Sequence, residues 1–136
     1  MNIEINNRTR HKLDIKLIKT VTARFLREYS SANREVSIAL VGDRVMRRLN
    51  REYRGRDKVT DVLSFSGEGD YFGEIIIDYA QIKRQAKKFS PSPRAEFIFI
   101  LVHGLLHLAG YDDKSEKGKK EMERLGHEFI KKIKRA

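Results

Sequence analysis

The most informative stretch of this sequence, for both the fold and the functional site, is residues 103–113, HGLLHLAGYDD. His103 and His107 are four residues apart in an apolar run, and an α-helix places side chains at that spacing on one face, one turn apart. Gly110 permits a turn that ends the helix, after which Asp113 can return toward the two imidazoles. Two imidazole nitrogens and one carboxylate oxygen leave a fourth tetrahedral position open, as a catalytic zinc site requires.

This pattern resembles the site of the zinc proteases, in which two helical histidines, a glycine and a later third ligand bind the metal. Those enzymes place a glutamate general base directly after the first histidine, and this chain has Gly104 there. The stretch therefore predicts a metal site without the base for peptide cleavage. The alternative is a pair of structural histidines hydrogen-bonded to backbone carbonyls. The surrounding apolar residues, from Phe97 onward, predict a buried helix, in which unpartnered imidazoles are costly.

The composition indicates a protein of a reducing compartment. The 136 residues suit one domain with one core. Cysteine is absent, which excludes disulfides and a thiolate zinc site. We find no signal-peptide pattern, and the longest apolar run, Phe97 to Val102, is too short to span a bilayer. The expected location is therefore the cytoplasm, without a membrane partner.

The charge indicates the class of partner. The formal net charge is +10 and the sequence pI is about 9.9, a field that favours a polyanion such as RNA or DNA. A thermophile's charged surface is the alternative. That alternative accounts for the density of charge but not for its sign.

Hydrophobic periodicity predicts four strands and about five helices in one mixed α+β domain, residues 1–136. Asp43 is expected to cap the second helix, and Ser92 and Pro93 to open the histidine helix. The predicted strands are a short segment at 3–5, then Glu35 to Val41, Asp61 to Phe65 and Gly73 to Asp78. The predicted helices are Thr9 to Tyr29, Asp43 to about Tyr53, Tyr79 to Phe89, one from Pro93 and one from Ser115.

A second constellation is basic. Seven basic residues lie between Arg44 and Lys58, and most are arginines, whose planar fork suits phosphate. Tyr53 among them could stack on a base, as aromatic residues do in single-strand binders. The alternative is a solvated helix face. The basic end of the chain, 131–135, is interpreted as a solvated helix end.

Four motifs together resemble the YbeY family, bacterial zinc-dependent single-strand endoribonucleases implicated in rRNA maturation and ribosome quality control. They are Asn50–Gly55 (NREYRG), Thr60–Phe65 (TDVLSF), Gly73–Ile77 (GEIII) and His103–Asp112 (HGLLHLAGYD). The resemblance covers essentially the whole chain in the family's order and spacing. It implies a central four-stranded sheet and a metal cleft lined by the histidine helix. It also implies an arginine that faces the metal, which corresponds to Arg54.

The chain departs from the family pattern at one ligand. The family motif ends Gly-Tyr-Asp-His, and its final histidine is the third ligand, where this chain has Asp113. A carboxylate is an acceptable zinc ligand. It would leave less net positive charge on the metal, raise the pKa of bound water relative to three histidines, and move the preference toward oxygen-loving metals. Asp112 stays open as an alternative ligand because the two are adjacent.

The expected function is metal-dependent cleavage of single-stranded RNA, with rRNA and the ribosome as partners and one Zn²⁺ per chain. Two alternatives stay open: a non-catalytic ribosome-associated factor with a structural metal, and a metal-dependent hydrolase of a small or peptidic substrate. The general base is not identified, nor is the attacking group, which is water or the RNA 2′-hydroxyl. His127 is expected to be dispensable for the metal. The assigned roles are metal binding by His103, His107 and Asp113, transition-state stabilisation by Arg54, and RNA binding by Arg51, Tyr53, Arg56 and Lys58.

Overall fold

A four-stranded mixed sheet runs through the computed structural model, which describes residues 1–30 and 34–135. The strand order is β1-β2-β4-β3, with β1, β2 and β4 parallel and β3 antiparallel to β4. Side chains alternate between the two faces of a strand. Because the central strands β2 and β4 contain consecutive apolar residues, both faces of the sheet are apolar and need a helical cover. The strands are β1 Asn2–Asn7, β2 Glu35–Val41, β3 Val62–Ser66 and β4 Tyr71–Asp78.

Helices cover both faces of the sheet. The second helix packs on one face, where Met46 meets Val41, Leu63 and Ile76. The first and fourth helices cover the other face, and the third and fifth pack against the fourth. The prediction of one mixed α+β domain with a four-stranded sheet and five helices is therefore confirmed for the described residues. The helices are α1 Ile15–Tyr29, α2 Asp43–Arg54, α3 Tyr79–Phe89, α4 Pro93–Leu108 and α5 Glu116–Arg135.

Helix α4 is the histidine helix, and it is buried nearly all round, as its composition predicts. The Ser92 side chain accepts from the backbone N–H of Ala95 at 3.1 Å, with Pro93 in the first turn. Gly104 faces the sheet: a Cβ there would lie 3.1 Å from Ile75 Cγ2, and Ser64 Oγ donates to the Gly104 carbonyl at 3.2 Å. The position that carries the base in zinc proteases is therefore closed against the sheet.

The start of α1 corrects one prediction. The helix begins at Ile15 and not at Thr9, because the preceding residues satisfy their hydrogen bonds locally. Thr9 donates through its backbone N–H and its hydroxyl to Asn7 Oδ1 at 3.0 and 2.6 Å, and Asn7 Nδ2 donates to the His11 carbonyl at 2.9 Å. Asp14 then caps the helix by accepting from the Leu17 N–H at 3.0 Å. Such side-chain bonds compete with helix formation.

Three smaller predictions were also wrong. Asp43 is the first residue of α2, and the cap is Gly42 without a side-chain hydrogen bond. The Asp43 carboxylate instead pairs with Arg84 at 2.8 Å, a partner that helix patterns do not reveal. Strand β3 begins one residue later than predicted and β4 two residues earlier.

None of the helices in the described part of the chain is long and apolar enough to cross a membrane.

Candidate active site

A cleft of about 1210 Å³ runs along α4. Side chains of β3 and of the residues before it form part of its wall, together with the turn after α4 and one face of α5. His103 and His107 project into it, and Asp113 lies at its edge. The predicted metal ligands thus share one cleft with residues that are distant from them in the sequence.

The three predicted ligands form a compact group. Asp113 Oδ2 lies 3.7 Å from His103 Nε2 and 3.8 Å from His107 Nε2. One donor atom from each residue lies within 4.8 Å of the others. Tetrahedral zinc with ligand distances of about 2.0–2.1 Å brings its donors to about 3.4 Å from one another. The chemistry and the spacing of the donors therefore fit a divalent metal after a small closure of the site.

The surroundings of the two imidazoles suit metal binding. His107 Nδ1 lies 3.1 Å from the Tyr111 carbonyl. Because a carbonyl can only accept, Nδ1 donates and leaves the Nε2 lone pair free, an arrangement typical of metal-bound histidine. Burial, together with the neighbouring His107, lowers the pKa of His103, so its neutral form is favoured. The backbone hydrogen bond to His107 occupies one ring nitrogen and leaves the other for the cleft.

The turn after α4 gives the adjacent residues Asp112 and Asp113 different contacts. Gly110, at φ +105°, ends α4 in a conformation that favours glycine, and the Tyr111 N–H then donates to the Leu106 carbonyl at 3.1 Å. Asp112 Oδ1 accepts from the Lys114 N–H at 3.1 Å, so it stabilises the turn. Asp113 is the carboxylate that approaches the two histidines.

Arg54 lines the same cleft. It is the last residue of α2, and Gly55 follows it in the left-handed conformation at φ +68°. The four residues expected to bind RNA lie outside the cleft lining and are exposed. Tyr53 is 64% exposed, and its ring packs edge to face with the ring of Phe65, with 5.1 Å between the ring centroids. The structure therefore places Arg54 in the same cleft as His103, His107 and Asp113, which we name the metal group for their predicted role. Arg51, Tyr53, Arg56 and Lys58 are exposed outside the cleft lining.

Comparisons with known proteins identify the family to which this chain belongs. The model of the endoribonuclease YbeY family matches residues 2–134. The chain belongs to the YbeY family. It is 40% identical over 119 residues to the endoribonuclease YbeY of Wolinella succinogenes, covering 85% of this chain and 81% of that one. It is 35% identical over 141 residues to the endoribonuclease YbeY of Persephonella marina, covering 98% and 90%.

A solved structure shares the fold. The solution structure of TM1509 from Thermotoga maritima superposes with a TM-score of 0.72 at 27% identity, covering 96% of this chain and 88% of that one. This YbeY-family chain therefore shares its overall fold with a solved protein.

Two residues that support the site were missed in the sequence. Asn50 is buried, and its Nδ2 donates to the Lys58 carbonyl at 2.9 Å, which ties down the loop after Arg54. Gly118 lies in the first turns of α5, where a Cβ would be 2.5 Å from the Asp112 carbonyl oxygen. A lone glycine near a helix start is the signal that could have found it. Because of this contact α5 packs directly on the turn that carries Asp113.

A polar cluster at the other end of the cleft was also missed. Gln85 Nε2 donates to Asp61 Oδ2 at 3.1 Å and to Glu96 Oε2 at 3.0 Å. Ser90 Oγ donates to the other oxygen of the buried Glu96 at 2.6 Å. These bonds connect α3, the start of α4 and the segment before β3, and so they fix the end of the cleft. For this YbeY-family chain they supply rigidity around the site.

Proposed function

We propose that this chain is a metal-dependent endoribonuclease that cleaves single-stranded RNA. The observation that carries the proposal is the meeting of His103, His107 and Asp113 with Arg54 in one cleft. The relatives named endoribonuclease YbeY support the reaction class, and the net charge of +10 suits an RNA substrate. From the family resemblance we extend the proposal to rRNA maturation and ribosome quality control in the cytoplasm.

His103, His107 and Asp113 would hold the metal, which we propose to be one Zn²⁺ per chain. When bound, such an ion supplies a water of lowered pKa or polarises a phosphoryl oxygen. Arg54 would stabilise the negative charge that develops on the phosphate, where a planar guanidinium can contact two oxygens.

The adjoining basic surface would hold the strand. Arg51, Arg56 and Lys58 are exposed cations suited to backbone phosphates, and the exposed ring of Tyr53 offers a stacking surface for a base. The Gly104 position, closed against Ile75 and Ser64, gives no place for a protease base. RNA cleavage is therefore favoured over peptide cleavage.

Cleavage of a labelled single-stranded RNA by untagged protein of known metal content tests the proposal. We expect Arg54→Ala to lower the cleavage rate more than tenfold, while RNA affinity falls far less. Arg54→Lys should restore activity only in part, because a point charge cannot make the bidentate contact. Arg27→Ala is the control, since Arg27 is an exposed arginine of α1 outside the cleft.

The basic surface gives a second measurement. Arg51→Ala and Arg56→Ala should weaken RNA binding and flatten its salt dependence. If Arg54→Ala behaves like these two, Arg54 positions the strand and has no role in the transition state. A metal-loaded protein that binds RNA without cutting it would instead indicate a non-catalytic ribosome-associated factor.

A further inference from the structure

Helix α5 turns one face into the cleft. The face consists of side chains at spacings of four, four, three and four residues, which place them on one side of a helix. It extends for about 22 Å at 1.5 Å per residue. Neither the metal group nor the basic surface of α2 uses it. This face, which we name the α5 stripe, is formed by Lys119, Glu123, His127, Ile130 and Lys134.

The centre of the α5 stripe is a pair of stacked rings. The exposed imidazole of His127 lies 5.1 Å from the half-buried ring of Phe99, with 29° between their planes. Phe99 belongs to α4, one turn before His103, and its centroid is 6.4 Å from the His103 ring. Proteins that recognise single-stranded RNA stack unpaired bases on such aromatic and histidine rings. A flat stacking surface thus adjoins the metal group.

Charges on the α5 stripe are arranged around this surface. Lys119 and Lys134 are exposed and form no ion pair among the described residues. Lys132, on the same helix, is by contrast paired with Glu28 at 2.7 Å. Glu123 lies one turn before His127, where its carboxylate would repel a phosphate. The centre of the stripe therefore suits a base, and its two ends suit phosphates.

We propose that the α5 stripe is a second RNA-binding wall of the cleft. One nucleobase of a single-stranded RNA stacks on the His127–Phe99 pair, and phosphates on either side of it bind Lys119 and Lys134. The inference rests on the proposed function and adds a substrate subsite to it. Arg54 lines the same cleft, so a single strand can contact both walls.

Fluorescence anisotropy of a short labelled single-stranded RNA with the full, metal-loaded chain tests the stacking. We expect His127→Ala to weaken binding about tenfold, within the range for loss of a base-stacking ring, and His127→Phe to retain it. On an abasic RNA of the same length, His127→Ala should bind as the wild type does. Metal content should be unchanged. The control is His11→Ala, because His11 lies outside the cleft lining and contacts Tyr79.

Paired lysine variants test the phosphate contacts. Lys119→Ala/Lys134→Ala removes two charges from the α5 stripe. Lys120→Ala/Lys131→Ala removes two exposed charges from the same helix outside the cleft lining. The first pair should reduce the slope of log affinity against log salt by about 1.4, at roughly 0.7 per single-strand phosphate. The second pair should change the slope little.

Three results of the RNA-binding measurements would overturn the inference: normal RNA binding by His127→Ala, an equal loss by that variant on abasic RNA, or equal slopes for the two lysine pairs. Loss of metal from His127→Ala would also overturn it, since that residue would then be a ligand. If the wild type binds no single-stranded RNA, the proposed function fails as well. If the wild type binds and cleaves while the α5 variants behave normally, only this inference fails.

Discussion

Asp113→Ala is the change that tests the metal centre most directly. The Asp113 side chain is 44% exposed, and its carboxylate is within 4 Å of both histidine nitrogens. An exposed contact of this kind contributes under about 1 kcal/mol, so the metal-free variant should unfold at nearly the wild-type temperature. Its effect should be confined to metal binding, because removing one of three donors should weaken affinity more than tenfold.

The size of the expected change in Tm follows from the linkage between metal binding and folding. Metal at 100 times its Kd stabilises the folded state by about 2.7 kcal/mol, and the same metal concentration stabilises a tenfold weaker site by about 1.4 kcal/mol. For a chain of 136 residues, each kcal/mol moves Tm by about 4 °C. Thermal unfolding with and without zinc should therefore show a shift of about 11 °C for the wild type and about 6 °C or less for Asp113→Ala.

Two variants complete the experiment. Asp113→His restores the three-histidine set and should retain or enlarge the zinc-dependent shift. Asp112→Ala should retain the wild-type shift, because Asp112 accepts from the Lys114 N–H, and the group of possible metal donors contains Asp113 and not Asp112. A full shift in Asp113→Ala would refute the assignment of the third ligand. A lost shift in Asp112→Ala alone would identify the neighbouring carboxylate as that ligand.

Three further predictions concern residues that support the fold and the site. Gly118→Ala forces a Cβ toward the Asp112 carbonyl oxygen; this should displace the turn and reduce zinc affinity in calorimetric titration. Asn50→Ala removes the hydrogen bond from the buried Asn50 amide to the carbonyl of the exposed Lys58 and should lower the free energy of unfolding in urea by about 0.5–1.5 kcal/mol. Burial and the adjacent carboxylate of Asp43 raise the pKa of Asp78 from 3.8 to about 7. The folded state then binds this proton more tightly than the unfolded chain, so stability should fall as pH rises from about 4 to 7. The Asp78→Asn variant should lack that fall when unfolding midpoints are measured below and above this range.

Local signals were sufficient for α4. Ser92 and Pro93 mark its start, Gly110 marks its end, and the apolar residues between them predict a buried helix. The same signals place His103 and His107 on one face, because helical spacing alone determines that relation. This half of the candidate site is therefore predictable from a single stretch of sequence.

Contacts between distant segments account for what the sequence did not reveal. Asp43 resembles a helix cap, but Arg84, far along the chain, takes its carboxylate. The steric contact of Gly118 with Asp112 depends on how α5 packs against the preceding turn. The cleft face of α5 has the same origin, since a polar helix face acquires a role only when the fold supplies the opposite wall.

The metal group and Arg54 are the two halves of the candidate site. Different contacts hold each half in place, so their roles can be tested separately. The metal group depends on α4 and on the turn that Gly118 packs against. Arg54 belongs to α2, and Asn50 fixes the loop that follows it. A change that disturbs the Asn50 contact should therefore slow cleavage without changing zinc affinity, whereas a change at Gly118 should lower zinc affinity while Arg54 stays in place. Because metal content and cleavage rate report on different elements, a loss of activity can be assigned to one half of the site without assuming the mechanism.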